Sequence, residues 1–209
     1  MEALRAEGIV LRKQPVTESS LVVTWFTREA GKLKTLAKGA RRTKGPFVGK
    51  LDLFYHDEIV YLPSRQSDLH LLTDCFVVEP HRRLRSSVRT LTAASYACEL
   101  VETITMDGDP QPEVLELLAG VLSALEEPVP GLAVLTWLEL RLLVATGWAP
   151  QWKGRSGVER VLHSLVEANL AGARRVRLSA AQVQEARATV WRFWDEHVEK
   201  APRSRAVLG

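Results

Sequence analysis

The spacing of apolar residues changes character once along this chain, at Glu79-Pro80, and that change limits the fold more than any other feature. Before it lie five short runs rich in Val, Ile, Leu, Thr and aromatic residues: Ile9–Lys13, Ser20–Thr27, Lys32–Lys38, Leu53–Leu62 and Asp68–Val78. Turn signals separate them at Glu29-Ala30-Gly31, Gly45-Pro46 and Pro63-Ser64, and the Arg28–Lys32 connection is short enough for a hairpin. Five short strands of this kind predict a small closed barrel of the oligonucleotide-binding (OB) type. An SH3-like barrel fits the same strand count less well.

Beyond Pro80 the apolar period becomes helical. Leu91, Ala94, Cys98 and Val101 mark a helix over Val88–Ile104. Pro110 and Pro112 punctuate the start of the next, whose stripe (Val114, Leu117, Leu118, Val121, Leu122, Leu125) stops at Pro128. Gly131 to Thr146 reads as a third helix with Gly147 as its C-terminal cap. A fourth runs from Val158 to Asn169, followed by a break at Gly172. The last is announced by a capping box, Ser179 with Gln182, ahead of a Val183, Ala186, Val190, Trp191, Trp194, Val198 stripe. The fold class is therefore α+β: a five-stranded barrel over residues 1–80, then a helical bundle domain over 81–209, the second a candidate partner-binding domain.

Within the barrel region, Gly31 to Lys44 holds six Lys or Arg and no acid. Read with a period of two, Lys32, Lys34, Leu36 and Lys38 share one face of a strand, while Leu33, Thr35 and Ala37 point the other way. The strand runs into a loop carrying Arg41, Arg42 and Lys44. Such an array suits a repeating polyanion better than a single small anion. A solvated edge strand protected by lysine is the plainer alternative. Six cations engaging a single strand would give a salt slope of order −4.

The net charge of +3 says little, but its distribution says more. Between Thr90 and Leu140 there is no Lys or Arg, whereas Glu99, Glu102, Asp107, Asp109, Glu113, Glu116, Glu126, Glu127 and Glu139 fall there. That pattern predicts a basic side for a polyanion and an acidic surface elsewhere. Arg82, Arg83, Arg85 and Arg89, read as opening the first helix, would extend the basic surface or form a solvated helix end. Cys75 and Cys98 stand alone in their segments, as small buried hydrophobes. The five histidines are scattered, and neither a nucleophile elbow nor a phosphate-binding glycine loop occurs, so no catalytic residue is assigned and the chain reads as non-enzymatic. Trp137, Trp191 and Trp194 read as core; of the adjacent pair Trp25 and Phe26, one faces the barrel interior and the other is free to face out. Without an apolar leader or a membrane-length run, a cytoplasmic location is expected.

Several segments resemble the bacterial RecO recombination mediators: Glu7-Gly8-Ile9-Val10-Leu11-Arg12, Phe26-Thr27-Arg28-Glu29-Ala30-Gly31-Lys32 and, most specifically, Leu36-Ala37-Lys38-Gly39-Ala40-Arg41. The likeness continues through Glu79-Pro80, Ala94-Ser95-Tyr96 with Glu99-Leu100, Leu138-Glu139-Leu140-Arg141-Leu142-Leu143, Gly147-Trp148-Ala149-Pro150 and the ending Ser204-Arg205 with Leu208. It implies an OB domain, a helical domain and a role in recombinational repair at the nucleoid. That role comprises binding single- and double-stranded DNA, annealing complementary strands and helping to load the RecA recombinase. RecR and the acidic, hydrophobic C-terminal tail of single-stranded-DNA-binding protein are the partners implied. It places DNA contacts at Lys34 and Lys38, which the charge pattern extends to Lys32, Arg41, Arg42 and Lys44. Arg141 is a candidate for holding the tail's terminal carboxylate. Many members carry a four-ligand zinc module after the Gly-x-x-Pro segment; here residues 151–178 contain no cysteine and one histidine, so neither metal nor other cofactor is expected. A protein-binding adaptor and an RNA-binding OB protein are the alternative readings.

Overall fold

The computed structural model describes residues 2–127, 132–152 and 156–208; the expected helix end at Pro128 and helix start at Gly131 lie outside them. The chain forms two compact units, Met1–Arg83 with Thr105–Ala119, and Leu84–Ile104 with Gly120–Gly209.

The first unit is built on β1 (Leu4–Pro15), β2 (Leu21–Thr27), β3 (Gly31–Ala37), β4 (His56–Leu62) and β5 (Leu69–Glu79). They close in the order β1-β2-β3-β5-β4, with β1 and β4 pairing to complete the ring. All pairings are antiparallel except β3 with β5, where Lys34, Thr35 and Leu36 lie opposite Leu69, His70 and Leu71. This is the expected OB-type barrel. A bulge between Val10 and Arg12 bends the long first strand, which pairs with both β2 and β4.

Alternation decides what fills the barrel. In β3 the residues Gly31, Leu33, Thr35 and Ala37 are buried and Lys32, Lys34 and Leu36 are not, so the period-two reading of the lysines holds. Val10, Val23, Trp25, Leu33, Ile59, Tyr61 and Cys75 form the core. The Trp25 indole N–H donates to Thr35 Oγ1 at 2.8 Å, satisfying two polar groups inside it. Phe26 is as fully buried as Trp25, so neither member of that pair is offered to solvent.

The segment Thr105–Ala119 belongs to this unit. The Gly108 N–H donates to the Lys32 carbonyl at 2.9 Å, and Asp107 bridges to Lys32. Gly31 turns the β2–β3 hairpin at φ +63°, and a Cβ there would stand 2.1 Å from the Asp109 carbonyl oxygen. Only glycine fits, both for its backbone angle and for the segment lying on it.

In the second unit α3 (Leu132–Ala145) is central, packing against α1 (Val88–Ile104), α4 (Gly157–Glu167), α5 (Leu170–Arg175) and α6 (Ala180–His197). Leu, Val, Ala and Trp side chains are buried all around it, as expected for a helix apolar on every face. The unit boundary falls within α2 (Pro112–Leu125). Gly147, at φ +87°, ends α3 as expected. Gly172 does not break a helix: the break is at Ala168, and the Asn169 side chain accepts from the Gly172 N–H to start α5. The capping box of α6 forms with both of its hydrogen bonds. Arg82–Arg85 make a separate 3-10 turn rather than the start of α1. Both cysteines are free and buried.

One core residue carries a charge problem. Asp57 is fully buried in the barrel; its Oδ2 receives the Cys75 thiol at 3.3 Å and its Oδ1 has no hydrogen-bond partner among the described residues. Burial raises its pKa to about 7, against a smaller lowering by the thiol. A carboxyl whose pKa is raised on folding destabilises the native state increasingly as pH climbs from about 4 to that value. Asp57→Asn should therefore add of order 2 kcal/mol of stability at pH 8 and far less at pH 5. Urea melts of both proteins at the two pH values test this; an equal effect at both would mean that the carboxyl stays neutral throughout.

Candidate nucleic-acid interface

Barrel closure removes the plainer account of the lysines. β3 is hydrogen-bonded on both sides, to β2 and to β5, so it is not an edge that needs protecting. Its outward cations require another reason.

The structure sorts those cations into three groups. Lys32 is turned inward to its own unit: its ammonium donates to the Thr105 carbonyl at 2.6 Å, lies 3.2 Å from Asp107, and only 12% of the side chain is exposed. Lys34 shares the same carboxylate at 3.3 Å but remains 39% exposed. Burial pushes the Asp107 carboxyl up, yet the two ammonium groups outweigh it and hold the group below the usual carboxylate range. Asp107 and, through its ion pair with Arg28 at 3.1 Å, Glu116 thus neutralise barrel cations rather than forming a separate acidic face.

Lys38, Arg42 and Lys44 form the second group. All three are exposed and line one groove of about 450 Å³, whose other side is the β1–β2 loop with Thr17, Ser19 and Ser20. The third is Arg41, which ties the two loops together: its side chain donates to the Thr17 carbonyl at 2.8 Å and its backbone N–H to the Ser19 carbonyl at 3.1 Å.

The loop carrying these groups is built, not draped. Successive turns link Arg42 N–H to the Gly39 carbonyl and Gly45 N–H to the Arg42 carbonyl. Gly45 approaches Gly39 so closely that a Cβ would stand 2.3 Å from its carbonyl oxygen. Phe47 then enters the barrel core, 4% exposed, and Ala40, Leu51 and Leu53 pack against that core.

A second recess, of about 510 Å³, shares Leu36 and Lys38 with the first groove and is bounded by the β4–β5 loop with Arg65. The β1–β2 and β4–β5 loops are those that flank the oligonucleotide face of an OB barrel. Neither loop was singled out by charge; their position follows only once the barrel order is known.

The helical unit brings together residues that are far apart in sequence. Tyr96 and Trp191 both donate to the fully buried Glu139, the indole at 2.7 Å. Burial raises the Glu139 pKa, with those two hydrogen bonds and the charges of Arg205 and Arg187 opposing. Glu99 accepts from the backbone N–H groups of Arg203 and Ser204 at 2.8 and 2.9 Å, and Arg205 lies over the Trp191 ring at 5.2 Å. These are packing and capping roles. Arg141 is half-buried and donates to the Val166 carbonyl at 3.4 Å. Among the described residues no helix is long and apolar enough to cross a membrane.

Comparison with known proteins finds one family along the chain. The model for the recombination protein O N terminal matches residues 1–81, and that for the recombination protein O C terminal matches residues 85–161. Among curated relatives, the DNA repair protein RecO of Syntrophus aciditrophicus is 33% identical over 146 residues, covering 70% of this chain and 56% of that protein. The DNA repair protein RecO of a Cyanothece strain is 36% identical over 149 residues, covering 70% and 50%. That of Acetivibrio thermocellus is 29% identical over 151 residues, covering 72% and 59%. The chain thus spans little more than half the length of the curated relatives it matches.

Asp107 pairs with Lys34, the more exposed of the two β3 lysines, so removing it should strengthen polyanion binding at this face. Asp107→Ala is expected to tighten a short single strand by up to about fivefold at low salt, the range of an exposed ion pair, with the gain vanishing at high salt. Fluorescence anisotropy titrations read it. A weaker complex would instead mean that the carboxylate is needed to position β3.

Proposed function

The chain belongs to the recombination protein O family, and from that premise we propose that it is a non-catalytic mediator of DNA repair that binds strands along the Lys38–Lys44 loop and promotes their annealing. The observation that carries this is the groove in which Lys38, Arg42 and Lys44 face the β1–β2 loop on the oligonucleotide side of the barrel. Lys34 and Arg41 contribute at its margins, and Lys32 serves the fold.

The mechanism follows from what these groups touch. Ammonium and guanidinium groups neutralise phosphates and release counterions, with no reading of base sequence. A surface that reduces repulsion between two backbones while leaving Watson–Crick edges accessible favours pairing of complementary strands. Helping RecA onto strands coated by single-stranded-DNA-binding protein, and acting with RecR, extends the same reading to partners. Arg141 remains the proposed contact for the coating protein's terminal carboxylate, in competition with the Val166 carbonyl.

Four to five contacts in place of six lower the expected salt slope for a single strand to about −3. Two labelled complementary strands, bare or coated with single-stranded-DNA-binding protein, test the function. The wild type should accelerate annealing of both, and Lys38→Glu with Arg42→Glu should lose at least about tenfold in strand affinity while melting normally. Strand binding without annealing would favour an adaptor; unchanged affinity in the folded double variant would remove this groove from the function.

A further inference from the structure

The recess beside the basic groove differs from it in character. Its floor is Leu36, Leu62, Leu69 and Leu71, and the His70 ring is held stacked on Tyr61, with centroids 5.3 Å apart and planes 28° off parallel. The Ser64 N–H donates to His70 Nδ1 at 3.1 Å. That bond and the stack on Tyr61 fix the orientation of the ring. Ser64 Oγ also accepts from the Gln66 and Ser67 N–H groups, both at 3.2 Å, so the loop bounding the recess is ordered by its own hydrogen bonds. A volume of about 510 Å³ is within the range of pockets that hold small planar ligands.

Resting on the reading above, we propose that this recess receives an unstacked nucleobase of the strand whose phosphates follow Lys38, Arg42 and Lys44, and so makes the barrel a single-strand binder first. Charge complementarity selects this occupant. Lys38 and Leu36 line both cavities, so a backbone lying in the basic groove delivers its next base to an apolar floor. Arg65, exposed at the far rim, is placed for the phosphate beyond it. The apolar floor and the imidazole offer a surface for a base of any identity, as stacking platforms do. A paired base cannot enter without leaving its duplex, which carries its own penalty.

The test compares three labelled ligands of equal length on the wild-type protein: oligothymidylate, the same backbone without bases, and a duplex. The base-bearing single strand should bind at least about tenfold tighter than the abasic backbone. Leu69→Ala should narrow that gap several-fold, whereas Lys38→Glu should weaken thymidylate and abasic strands by similar factors. Equal affinity for thymidylate and abasic strands, with Lys38→Glu still weakening both, would overturn the recess and leave the proposed DNA surface intact. Failure of the wild type to bind any of the three would overturn both.

Discussion

Closure of the barrel through the β1–β4 and β3–β5 pairings is the constraint on which the candidate surface depends. It satisfies the backbone of β3 on both sides and fixes its register. With one face committed to Leu33, Thr35 and the core, every lysine of the strand must lie on the other. A one-residue slip would bury the ammonium groups and expose the apolar set. The basic face is therefore a product of the same alternation that makes the core, not an addition to it.

Much of this was legible in the chain itself. Strand runs, the switch to helical spacing at Pro80 and the Ser179–Gln182 cap depend on local chemistry, and local chemistry is what a sequence displays. The same holds for the alternation of Lys32, Lys34 and Leu36 against Leu33 and Thr35. What was not legible depends on distant packing. Nothing near Lys32 announces that Thr105 and Asp107 will take up its ammonium, since those residues lie in a segment whose acids suggested a surface of their own. The burial of Phe26 beside Trp25 is of the same kind, whereas the helix break at Ala168 rests on the local Asn169 cap, a signal the chain did carry.

The residues that carried the likeness to the family divide by role once they are placed. Lys38 and Arg41 lie at the groove, whereas Tyr96, Glu99, Glu139 and Ser204 hold the helical unit together through buried or shared hydrogen bonds. A motif can thus be specific to a family because its fold needs it. The buried carboxyl of Glu139 between a phenol and an indole is an example, since removing either donor takes a hydrogen bond from a buried acceptor.

Phe47 has a thermodynamic side. With its ring in the core and turns linking Gly39 to Gly45, the cationic loop is ordered before any ligand arrives. Under the proposed function little of the loop's backbone entropy remains to be lost on association, so the ordering falls on the strand and on the exposed side chains of Lys38, Arg42 and Lys44. Differences in affinity between ligands would then measure how stiff each strand already is, and the protein would act as a gauge of strand flexibility as much as of charge.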